Sequence, residues 1–169
     1  PGNWTPAVMK IGQVAEILTM LVLGFVLKGL GWRLTMTLGI LGHAARFAVF
    51  VFYPEKEAAI AVNALHGICY AFFFATVYIF VDEYFPKDAR ASAQGLFNLL
   101  IWGVGPFFAN FLCGRLEGNY TDTSVDPAKL DPAVFPAAYK YAMGAALVGA
   151  ALLFAFFHPP KKQVAEGKL

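Results

Sequence analysis

Charge is scarce in this chain: of its 169 residues only 14% are Asp, Glu, Lys or Arg, while 59% are hydrophobic. A soluble domain carries about 25% charged residues and uses them to cover its core. Too few are present here, which excludes an ordinary soluble globular domain. The formal net charge of +2 is small, and the basic residues cluster between apolar runs, so no nucleic-acid polymer is expected as a partner. Cysteine is nearly absent. Cys69 and Cys113 both lie in apolar runs without metal-ligand spacing, so neither a disulfide nor a metal site is expected. Low-complexity segments and short repeats are missing as well. With no initiator Met and no signal-peptide pattern, the expected reading is the interior of a longer protein.

What remains is a series of apolar runs, at about 7–27, 34–52, 58–81, 91–112 and 137–157. About 20 apolar residues in helical conformation span ~30 Å of hydrocarbon. The expected fold class is therefore all-α, a polytopic membrane helical bundle of five spans. Pro1 to Pro6, with Trp4, reads as an interfacial loop. A basic Gly-rich hinge from Lys28 to Arg33, a polar turn from Tyr53 to Glu57, a charged turn from Asp82 to Arg90 and a loop from Gly114 to Pro136 separate the runs. Alternating connections put Lys28, Arg33, Lys87, Arg90, Lys161, Lys162 and Lys168 on one side. Lys10, Lys56, Arg115, Lys129 and Lys140 fall on the other. The denser basic side is the cytoplasmic one by the positive-inside rule, which puts the C-terminal tail inside and the Gly114–Pro136 loop outside.

Polar side chains inside the runs carry the chemistry, because an ionisable group in hydrocarbon is costly and marks a pathway by default. Gln13 and Glu16 share a helical face in the first run. His43 and Arg46 lie with Gly39 and Gly42 on a stripe of the second, and His66 and Tyr70 share a face of the third. Gln94 and Asn98 line the fourth, which also contains a helix-loosening Gly103-Val104-Gly105-Pro106 cluster. At 1.5 Å per residue, Glu16, Arg46 and His66 all fall roughly 9 to 14 Å below the outer surface. A buried Arg needs acceptors, and a carboxylate in the same layer supplies them. Glu16 is thus read as a proton or substrate site in a polar cavity, with a structural bridge to Arg46 as its bland alternative. For His66, Gln94 and Asn98 the rival role is interhelical hydrogen bonding, and His43 is read as structural.

Ile11-Gly12-Gln13-Val14-Ala15-Glu16, Arg46-Phe47-Ala48 and Arg90-Ala91-Ser92-Ala93-Gln94-Gly95 together resemble the C-terminal half of a major facilitator superfamily transporter, closest to the nucleoside:proton symporter family. The resemblance covers nearly the whole chain and places it at helices eight to twelve of twelve. It implies a secondary active transporter, not an enzyme. Such a protein takes up a small polar solute, a nucleoside by family, and is driven by the proton gradient without a cofactor. Glu16, Arg46 and His66 are the expected coupling residues, and Gln13, Tyr70, Gln94 and Asn98 the expected substrate contacts. The chain departs from the family at Ala71, where those symporters have an acidic residue, which leaves Glu16 as the carboxylate of the membrane layer. The implied partners are the solute, the lipid bilayer and the N-terminal half of the same transporter, and the implied location is the inner membrane. The alternative within the fold is an uncoupled facilitator or a drug or solute exporter, with Glu16–Arg46 as a structural bridge. A membrane scaffold would instead scatter its polar groups in depth.

Overall fold

The computed structural model describes residues 5–53, 55–118 and 134–160, and these form helices and short connections with no strand. In chain order they are α1 (Thr5–Phe52), α2 (Lys56–Ala61), α3 (Ala64–Tyr84), α4 (residues 87–118) and α5 (Val134–Phe156). The expected outer loop and the basic tail fall largely at residues 119–133 and 161–169, outside the described residues.

Among the described residues, four helices are long and apolar enough to cross a membrane, against five apolar runs in the sequence. The difference lies in α1, which holds the first two runs in one helical assignment interrupted at Gly31. The basic hinge is helical except at that residue, with φ 75° and ψ 174°, a combination open essentially to glycine alone. Thr35 is fully buried and its hydroxyl donates to the Gly31 carbonyl at 2.8 Å, which satisfies an acceptor at the break. The chain reverses there. Gly12 and Glu16 from the first arm pack on residues 63–67 at the start of α3, while Gly42 and Arg46 from the second arm reach Cys69 and His66 nearby. Both arms therefore lie side by side against α3.

Lipid offers no hydrophobic drive between helices, so close packing has to hold them. Glycine supplies it. The backbone of Gly67 sits directly against the backbone of Ala15 and Glu16, and a Cβ at Gly39 would lie 2.6 Å from the Phe73 amide nitrogen. Toward Gly31, Trp32 meets Phe80 and Tyr84 edge-on at 5.4 and 5.7 Å. On its other side the second arm packs on α5: Phe50 stacks on Tyr139 at 5.0 Å, and Arg33 lies 4.5 Å from the Phe154 ring.

Both α3 and α4 change winding partway along. Tyr70–Ala75 and Leu99–Val104 are π-helical. The second stretch runs into the Gly103–Pro106 cluster, where proline removes a backbone donor and loosens the helix. In the first, fully buried Thr76 donates to the Ala71 carbonyl five residues back, at 3.0 Å. The charged turn shrinks to Phe85-Pro86, because α3 continues through Asp82 and Glu83 and α4 starts at Lys87. Arg90 pins that turn by donating to Asp82 at 2.8 Å and to the Phe85 carbonyl at 3.0 Å. At the other end α4 extends to Gly118, past the expected limit at 112.

Candidate functional site

Glu16, Arg46 and His66 lie near one another in the structure. Arg46 Nη1 lies 3.0 Å from His66 Nδ1, across the interface of the second arm and α3. Glu16, on the first arm, is within electrostatic reach of His66, and its backbone abuts Gly67 one residue further on. Three helical segments thus bring an acid, a guanidinium and an imidazole to one level. The crossing at Gly67 is what brings Glu16 this near, since any side chain there would push the first arm away. Glu16 and Arg46 form no ion pair among the described residues, and the partner of Arg46 is the imidazole. His43 sits one turn from Arg46 among aromatic rings, stacked on Phe47 and edge-on to Phe74. Its Nε2 and Arg46 Nε are buried without a hydrogen-bond partner.

Of the expected substrate contacts, Gln13 and Tyr70 belong to this end of the bundle. Gln13 is exposed one turn before Glu16, and half-buried Tyr70 lies one turn past His66, 5.7 Å from the Phe74 ring. Gln94 and Asn98 do not join them. Asn98 accepts a hydrogen bond from Tyr78, twelve residues beyond His66 and roughly 18 Å along α3 at 1.5 Å per residue. Gln94 is one turn further toward the Arg90–Asp82 pair. The physical reason is register: a two-residue turn joins two antiparallel helices, so early α4 sits level with late α3. The single expected site is therefore two levels. One is Glu16–Arg46–His66 with Gln13 and Tyr70, the other Tyr78–Asn98 with Gln94, and Phe73, Phe74 and Phe97 pack between them at 6.4 Å.

Tyr78 is the functional-site neighbour that the sequence reading passes over. A phenol in an apolar run reads as packing, and its signal is a buried hydroxyl that needs a partner. An open hollow of about 380 Å³ lies within a turn of the Arg46–His66 contact, lined by Val49, Tyr53, Ala58, Ala61, Val62 and Leu65. It has no charged group to handle a polar solute.

Comparison with known proteins agrees with this arrangement of helices. A family model described as nucleoside H+ symporter matches residues 2–162. The putative nucleoside transporter YegT of Escherichia coli is 35% identical over 111 residues, covering 63% of this chain and 26% of that protein. Xanthosine permease of the same organism is 28% identical over 125 residues, covering 72% of this chain and 29% of the permease. A crystal structure of the nucleoside transporter NupG superposes with a TM-score of 0.71 at 25% identity, over 89% of this chain and 37% of that one. The chain spans well under half the length of these relatives, which are transporters and not enzymes. On the match along nearly its whole length, the chain belongs to the nucleoside H+ symporter family.

Proposed function

We propose that this chain is the C-terminal part of a twelve-helix, proton-coupled symporter that takes up a nucleoside by alternating access. The observation that carries the reading is the Glu16–Arg46–His66 layer, assembled from three helical segments in a chain of this family. A carboxylate in such a layer can change its charge as its surroundings change. Burial favours its neutral form and a nearby cation its ionised form, so relative movement of helices gates the proton. Gln13 and Tyr70 flank Glu16 and His66 and supply contacts for a polar solute. Tyr78, Gln94 and Asn98 lie at the second level, on the path that a solute follows after the halves rock over a central site. The protein is placed in the inner membrane with its tail in the cytoplasm, and the opposing half of the site comes from the N-terminal helices.

Uptake of labelled uridine by cells producing the full-length protein, with and without a proton uncoupler, tests this. Accumulation above the external concentration that collapses with the uncoupler is the expected result. Uptake that only equilibrates and ignores the uncoupler would establish the uncoupled facilitator instead.

A further inference from the structure

The Arg46–His66 bond fixes a proton as well as a distance. A guanidinium carries only donors. His66 Nδ1, at 3.0 Å from Arg46 Nη1, is therefore the acceptor and bears no hydrogen. The one proton of the neutral ring then sits on Nε2. Among the described residues Nε2 makes no hydrogen bond, and unlike His43 Nε2 and Arg46 Nε it is not sealed in the protein. It belongs to a half-buried ring in the field of Glu16. The titratable groups that act on that ring are Glu16 from the first arm and His43 and Arg46 from the second. A second proton on Nδ1 would have to break the Arg46 bond and set two cations face to face.

We propose that Arg46 is a positioning residue: it holds His66 as the Nε2–H tautomer, so that the imidazole meets the solute as a hydrogen-bond donor and the solute must bring an acceptor, such as a base carbonyl or hydroxyl oxygen. The solute in this statement rests on the symport reading above, whereas the tautomer rests on the Arg46 contact alone. The transported proton accordingly stays with Glu16. Glutamine can imitate both halves of the role of His66, its amide oxygen accepting from Arg46 and its amide nitrogen donating to the solute. Leucine can imitate neither.

Nitrogen-15 spectra of labelled histidine in the chain, held in lipid nanodiscs at pH 7, read the tautomer directly, with His66 assigned by its loss in His66→Gln. The expected spectrum has a bare Nδ1 and a protonated Nε2. Arg46→Lys, which still donates, keeps it, and Arg46→Met converts it to a mixture of tautomers. A doubly protonated His66, a proton on Nδ1, or a tautomer unchanged in Arg46→Met overturns the proposal. In the full-length transporter, His66→Leu should bind uridine roughly five- to tenfold more weakly than the parent, and His66→Gln should recover most of that loss. Equal weakening in both variants also overturns the donor role. A parent that binds no uridine defeats the nucleoside reading, and the spectra then decide the tautomer by themselves.

Discussion

Tyr78 donates its phenolic hydrogen to the side-chain oxygen of Asn98, and this bond ties α3 to α4 immediately before the π-helical stretch of α4 begins. Interhelical hydrogen bonds in membrane proteins contribute about 0.6 kcal/mol on average and up to ~1.7. Tyr78→Phe should therefore lower stability by roughly 1 kcal/mol in a denaturation series in bicelles. Asn98→Leu in the Tyr78→Phe background should cost little more, because the partner has already gone. Additive losses would show that the two side chains act independently.

Among the described glycines, Gly67 makes the closest helix contact. A methyl group there would meet the backbone of Ala15 and Glu16, which cannot rotate out of the way. Gly67→Ala should destabilise by about 1–3 kcal/mol, the usual cost of overpacking, and should impair transport by displacing Glu16. Gly24→Ala is the control. Nothing lies within 4 Å of a Cβ at that position, so the change should be neutral or slightly stabilising by helix propensity. Thermal unfolding in detergent separates the two.

The Arg90–Asp82 pair is exposed, with side-chain exposures of 31% and 67%. Pairs of this kind contribute about 0–1 kcal/mol, less at high salt. Asp82→Asn should thus fall within that range. Arg90→Ala should cost more than Asp82→Asn, because Arg90 also donates to the Phe85 carbonyl and braces the turn. A larger loss for Asp82→Asn in the same unfolding assay would contradict that ranking.

Glu16→Gln imitates the protonated carboxyl at constant size. In the full-length protein it should still bind and exchange nucleoside, since exchange needs no net deprotonation, and it should lose uphill accumulation driven by a proton gradient. If Glu16→Gln accumulates solute as the parent does, Glu16 is not the coupling residue.

Much of this architecture is legible in the sequence because lipid imposes it. A run of apolar residues has only the helix available to satisfy its backbone, so the runs around Glu16, Arg46 and His66 yield helices. Gly103, Gly105 and Pro106 likewise announce the looser winding of α4. The π-helical Tyr70–Ala75 stretch has no such marker, since its Tyr-Ala-Phe-Phe-Phe-Ala residues suit an ordinary helix equally well. Charge does not end a helix at the membrane surface, which is why α3 runs on through Asp82 and Glu83. The separation of Gln94 and Asn98 from His66 follows from the run boundaries themselves: both lie early in the fourth run and His66 early in the third, so two antiparallel helices put them at different levels whatever the length of the turn.

The π-helical stretch in α3 also has a consequence for how this helix is numbered against its relatives. One extra residue in a regular helix would rotate everything after it by about 100°, whereas a π-helical turn absorbs it. Without the insertion, the position sharing a face with His66 three turns on would be Val77. With it, that position is Tyr78, which is where a hydroxyl finds Asn98. Removing one residue from Phe72–Phe74 would thus leave Tyr78 on the same face of a shorter, regular α3. A gap of one residue at this point in an alignment marks a change of winding, and the side chains beyond it keep their neighbours.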